Sequence, residues 1–185
     1  MKVLNIHGYK GSSENSACIT LKNLGHEVIS PQIDYDSKRP HRIFADLRDI
    51  FYESRPDYIV GTGLGGFFAL LLSRKFTVEE YESHRKRYFY CNIPTVLVNP
   101  CLNLSVLSEL GYKMDKSRKM TFVRFMDMIE KTDCRNVVAI IGGQDEIINY
   151  HRFTESLIKK CYVVPDGKHS GATLNLDYWL KRFIK

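Results

Sequence analysis

The chain has 185 residues, 44% of them apolar, and a formal charge of +6. That suits one globular domain, 1–185, with room for a sizeable core, and argues against a disordered protein. No apolar run reaches bilayer-spanning length and the five cysteines form no C-x-x-C pair, which speaks against a membrane span, a zinc knuckle and a disulfide framework.

Taken in chain order, short apolar runs alternate with amphipathic segments, the pattern of a parallel sheet wrapped by helices. "KVLNI" (2–6) reads as strand one and "ENSACITLKNL" (14–24) as a helix stopped by Gly25. "HEVIS" (26–30) is strand two, followed by a helix over about 42–53 with apolar residues at helical spacing. "DYIVG" (57–61) is strand three and runs through "GTGLGG" (61–66) into an apolar helix. "PTVLVNP" (94–100) is strand four, and 101–135 has helical character, with Phe122, Phe125, Met126 and Ile129 on one stripe. "NVVAIIGG" (136–143) is strand five, followed by a helix around 150–160. "CYVVP" (161–165) is strand six, and "LNLDYWLKRFI" (174–184) is a closing helix. The strands are continuously apolar, as both-sided burial requires.

The basic run "HRKRY" (84–88), with aromatic neighbours, could meet an acidic partner, but it reads as a solvated surface and no nucleic-acid partner is expected. The scattered cysteines read as reduced core thiols, which sets the expected location as cytoplasmic, with no membrane partner.

The turn "GTGLGG" admits two readings. As G-x-G-x-x-G (Gly61, Gly63, Gly66) it would cradle a dinucleotide, but such loops follow the first strand and require an acidic residue about 20 positions on, at the next strand's tip. Here the motif follows strand three and the next strand ends in Asn99-Pro100. As G-x-S-x-G it is a nucleophile elbow with Gly63 where serine would stand. That reading asks for an acid and a histidine on later strand ends, in that order. Asp145 follows strand five and His169 follows strand six. Gly8 and Tyr9, after strand one, supply an oxyanion-type loop whose Tyr9 amide would act with the Leu64 amide. Asp145 could instead cap a helix, Glu146 is a rival acid, and His7 reads as a structural loop residue. No cofactor and no metal site are expected.

The segments "NIHGYKGSSENS", "GTGLGGFFA", "VNPCL" and "GGQDEIINY" resemble the small YqiA/YcfP-type esterase-like family of α/β hydrolases. The likeness spreads over nearly the whole chain, and "HGYKGSS" and "GLGG" are its most specific parts. It implies a compact α/β-hydrolase fold of about six parallel strands in the order 2-1-3-4-5-6, with 101–135 as a small helical lid. It also implies an ester or thioester as ligand. Esterase members carry serine at the position of Gly63.

Glycine keeps such a turn without strain and removes the attacking oxygen. Thr62 belongs to the strand end and should point away. Cys101, at the tip of strand four, is the best substitute nucleophile on offer. Three readings stay open: a catalytically impaired binding or regulatory relative, a pseudoenzyme; a weak ester hydrolase in which Asp145 and His169 activate water; and an engineered replacement of a natural serine.

Overall fold

A computed structural model of the chain describes residues 1–73, 76–79, 86–89, 93–130, 134–148 and 151–185; at 76–79 and 86–89 only the backbone path is described. The strands in chain order are β1 (Lys2–Ile6), β2 (Glu27–Ile29), β3 (Tyr58–Thr62), β4 (Phe76–Glu79), β5 (Lys86–Phe89), β6 (Thr95–Val98), β7 (Val137–Gly142) and β8 (Lys160–Val164). Six of them form one sheet in the order β2-β1-β3-β6-β7-β8, and every pairing in it is parallel. This is the order expected above. The remaining two, β4 and β5, make a separate antiparallel pair with Phe76 opposite Phe89. The sequence reading sets no strand there, and the side chains of the basic run at 84–88 lie outside the described residues.

Alternation explains why continuous apolar runs make good strands here. Successive side chains leave a strand on opposite faces. Leu4, Ile6, Ile59, Leu97 and Ala139 enter one core, whereas Val3, Val60, Val96, Val98 and Ile140 enter the other. The helices that cover the sheet are α1 (Ser16–Asn23), α2 (Pro40–Ser54), α3 (Leu64–Leu72), α4 (Ser105–Glu109), α5 (Lys116–Glu130), α6 (Arg152–Leu157) and α7 (Leu176–Phe183). Buried residues of α1 and α7 (Ala17, Leu21, Leu176, Leu180) fill the second core. Those of α2, α3 and α5 fill the first, where Phe67 and Phe68 of α3 meet Phe122 and Phe125 of α5. Each such ring stabilises the fold by about 1.5–3 kcal/mol through burial, and truncating Phe122 to alanine should cost about 3–5 kcal/mol.

Local chemistry sets the helix ends. The Asn15 side chain caps α1 by accepting from the Cys18 amide at 2.9 Å, and Gly25 closes it at φ 80°. Helix α2 starts at Pro40, earlier than the expected 42, because proline suits the first helical turn, where its missing N–H leaves no bond unmade. The closing helix starts later than expected, at Leu176: a short 3-10 turn (Gly171–Thr173) and Asn175 at φ 49° come first. The helix expected from about 150 begins at Arg152, and residue 150 itself lies outside the described residues.

Candidate active site

Gly63 joins β3 to α3 at φ 54° and ψ −124°, a conformation that L side chains rarely adopt. Its amide donates to the Val98 carbonyl at 3.0 Å, and its carbonyl accepts from the Cys101 amide at 2.9 Å and the Gly66 amide at 3.0 Å. The turn is therefore tied to the tip of β6. Its neighbouring glycines are there for space. A Cβ on Gly61 would lie 2.6 Å from the Ala69 Cβ, one on Gly65 2.1 Å from the Ile6 carbonyl oxygen, and one on Gly66 2.9 Å from the Pro100 Cβ. A Cβ on Gly63 would meet only the Gly8 Cα, at 3.6 Å, an ordinary contact. Packing thus requires three glycines, while Gly63 is required by conformation alone.

The loop after β1 lies against this turn: a Cβ on Gly8 would stand 3.0 Å from the Thr62 carbonyl oxygen and 3.6 Å from the Leu64 nitrogen. Leu64 opens α3, so its amide has no acceptor within the helix. The Tyr9 amide follows directly on Gly8, and both Tyr9 and Leu64 line one cleft. Buried His7 holds the loop. The Ile33 amide donates to its Nε2 at 2.9 Å, so Nδ1 carries the hydrogen and donates to the Gly8 carbonyl at 2.8 Å. Burial lowers the His7 pKa, outweighing the opposing bond to Gly8, which suits a neutral structural imidazole. The Tyr35 hydroxyl donates to the His7 carbonyl at 2.5 Å, and the Tyr9 hydroxyl donates to Asp36 at 3.0 Å.

Asp145 follows β7 and His169 follows β8, and the structure brings them together. The His169 Nδ1 lies 3.1 and 3.2 Å from the two Asp145 carboxylate oxygens. Glu146 instead accepts from the His169 backbone amide at 3.1 Å, so it bonds the loop and not the ring. One Asp145 oxygen also accepts from the amides of Ile147 (2.9 Å) and Ile148 (2.7 Å), which makes the carboxylate a local cap as well as a partner for imidazole. Burial would push the Asp145 carboxyl up. Donors from His151, His169 and the Ile148 amide outweigh it and hold the group well below the usual carboxylate range.

Two residues that sequence reasoning missed complete the arrangement. Fully buried Asn99, at the tip of β6, donates through Nδ2 to the carbonyls of Lys168 (2.9 Å) and His169 (3.0 Å), and its Oδ1 accepts from the Gly142 amide at 2.7 Å. It clamps the histidine loop onto the end of β7. Its backbone sits at φ 42°, a left-handed conformation that asparagine tolerates better than most residues, so an Asn-Pro at a strand tip was the available signal. His151 also reaches Asp145, with Nε2 at 3.3 Å from Oδ2. Sequence offered no sign of that.

The turn, the loop after β1 and His169 meet at a cleft of about 190 Å³. Gly63, Leu64, Tyr9 and His169 line its polar end, and Ala17, Leu107, Leu110, Ile148 and Leu176 supply apolar walls. Thr62 is also among its lining residues, and its Oγ1 is buried without a hydrogen-bond partner among the described residues. Cys101 lines the cleft too, but the structure corrects the idea of it as a substitute nucleophile. The thiol is 2% exposed, its Sγ lies 3.6 Å from the Asn103 carbonyl oxygen, and burial, with the Asp145 charge adding to it, pushes its pKa up to about 12. A thiolate, the reactive form, is suppressed there.

The stretch read as a lid divides in two. Helix α5 packs across α2 and α3 on the sheet face, and Phe122 lies in that core, not in the cleft. The α4 end, through Leu107 and Leu110, reaches the cleft. A larger groove of about 650 Å³ runs between α4 and α5, but its walls, among the described residues, carry no histidine or cysteine. Chemistry, not size, points to the smaller cleft.

The sequence matches no family model and no curated protein. Solved structures are similar over its whole length. A protein of Agrobacterium vitis S4 described as a hydrolase is 13% identical, with a TM-score of 0.70 over 100% of this chain and 88% of that one. Est1E from Butyrivibrio proteoclasticus is 15% identical, with a TM-score of 0.67 over 99% of this chain and 88% of its own, and it is also known with ferulic acid bound. A monoacylglycerol lipase from Paleococcus ferrophilus is 16% identical, with a TM-score of 0.55 over 91% of this chain and 84% of that one. The fold is that of the α/β hydrolases.

Proposed function

We propose that this protein is a relative of the small esterases, of the YqiA/YcfP type, that binds an ester-like ligand and has lost covalent turnover. One observation carries the reading: Gly63 occupies an elbow whose every other feature is kept. The strained backbone, the crowded glycines at 61, 65 and 66, the Leu64 amide at the start of α3 and the Asp145–His169 pair support that reading, in which position 63 lacks the attacking oxygen. The ligand's carbonyl oxygen would face the Tyr9 and Leu64 amides, its reacting carbon would lie over Gly63, and a short acyl or aryl group would fill the apolar end. Est1E with ferulic acid suggests aryl-acid esters among the probes.

A second reading is favoured by the carboxylate–imidazole pair itself. Asp145 orients an imidazole that could take a proton from water held in the space above Gly63, giving slow ester hydrolysis. Triads stripped of one member keep roughly 10³–10⁴-fold acceleration over water, so weak turnover is physically accessible. Hydrolysis of acetyl, butyryl and feruloyl esters by the native protein and by His169→Ala separates the two. The binding reading expects both to match buffer, and a saturable rate lost in His169→Ala would favour the second.

A further inference from the structure

The Asp145 carboxylate serves two histidines. His169 Nδ1 lies within reach of both oxygens, and His151 Nε2 meets Oδ2 at 3.3 Å. The His151 side chain is 8% exposed, and its Nδ1 is buried with no hydrogen-bond partner among the described residues. Meanwhile the Ile147 and Ile148 amides hold Oδ1. With Oδ1 fixed by those two amides, the remaining freedom of the carboxylate is rotation that swings Oδ2, and His151 is a second ring, besides His169, that meets Oδ2.

We propose that His151 is a positioning residue that sets the plane of the Asp145 carboxylate, so that both oxygens face the His169 ring and hold it in one tautomer. The hydrogen-bond roles follow from the acceptor. An ionised carboxylate only accepts, so both rings must donate to it. As a neutral ring His169 is therefore the Nδ1–H form, leaving its Nε2 lone pair for the cleft, and neutral His151 is the Nε2–H form, leaving a buried lone pair at Nδ1. The two imidazoles carry opposite tautomers on one carboxylate. Among the described residues, Glu146 bonds the His169 amide, and the Asp145 charge also acts on the Cys101 thiol at the tip of β6. Neither bonds an Asp145 oxygen.

This inference rests on reading the cleft as a kept acid–histidine pair, but its test does not depend on turnover. Nitrogen-15 NMR of the imidazoles in the native protein should show His151 as the Nε2–H tautomer and His169 as the Nδ1–H tautomer, each with a downfield, slowly exchanging ring proton. In His151→Phe the His169 Nδ1–H signal should move upfield and exchange faster, whereas His151→Gln, whose amide can still donate, should preserve it. In the Gly63→Ser background, His151→Phe should slow covalent fluorophosphonate labelling by about ten- to a hundredfold, the loss typical of a misaligned reacting group, with His151→Gln closer to the parent. An unchanged His169 signal in folded His151→Phe would overturn the proposal. So would a native His151 in the Nδ1–H form, which decides the matter even if the phenylalanine variant does not fold. If Gly63→Ser takes no label, the reading of the site fails while the native tautomers still judge His151.

Discussion

Placing a serine at position 63 tests the cleft through one residue. A side chain there meets no wall: the added Cβ would find only the Gly8 Cα, at 3.6 Å. The cost is therefore conformational. Holding a non-glycine residue at φ 54° and ψ −124° should cost about 1–3 kcal/mol. For a chain of this size each kcal/mol lowers Tm by about 2–4 °C, so Gly63→Ser should melt roughly 2–12 °C below the native protein. In return the hydroxyl stands at the start of α3, in a cleft that also holds His169 and the Leu64 amide. Gly63→Ser should accept a fluorophosphonate label, read by intact-protein mass, while the native protein should not. Adding His169→Ala should abolish labelling, because the hydroxyl then lacks its base. A folded Gly63→Ser protein that stays unlabelled would refute the claim that only the nucleophile is missing. Labelling of the native protein that depends on His169 would refute the claim that it has none.

Three further outcomes follow from the same geometry. Asn99→Ala should lose about 1–3 kcal/mol in urea unfolding, because the Lys168 and His169 carbonyls and the Gly142 amide lose a buried partner, and it should also slow labelling in the Gly63→Ser background. Cys101, with its thiol pushed up to about 12 by burial, should resist iodoacetamide in the folded protein up to about pH 9 and react at once in denaturant; rapid native alkylation read by peptide mapping would contradict the burial argument. Asp145, held below an ordinary carboxyl, contributes stability that is fully present above the unfolded pKa of about 3.9 and is lost as pH falls through its lower folded value. The stability gap between native protein and Asp145→Asn should therefore shrink as pH falls from about 5 to 2, and a constant gap would exclude that linkage.

The sheet was legible because its strands are short, β-rich apolar runs separated by helical spacing, and two-sided burial leaves little else for such runs to do. Their spatial order came from the likeness of "HGYKGSS" and "GLGG" to a known family, not from periodicity. The β4–β5 pair went unseen because "FTVE" and "KRYF" mix charge with apolar residues and show no long buried run. Asp145 and His169 could be picked out by their places after strands five and six. Asn99 left only the faint signal of an Asn-Pro at a strand tip and His151 left none, since their roles exist only where the tip of β6 and the start of α6 meet loops more than five residues away in sequence. Cys101 shows the converse failure: residue type and a strand-end position do not reveal whether a side chain is reactive or merely enclosed.

On the proposed reading, the cleft holds a carbonyl ligand without turning it over. An amide NMR titration of the native protein with p-nitrophenyl butyrate, with ester consumption followed in the same tube, tests it directly. Saturable shifts are expected at the Tyr9 and Leu64 amides and the ring of His169, with ester loss no faster than in a parallel tube of His169→Ala. Absent shifts at those amides, or saturable ester loss that vanishes in His169→Ala, would contradict it.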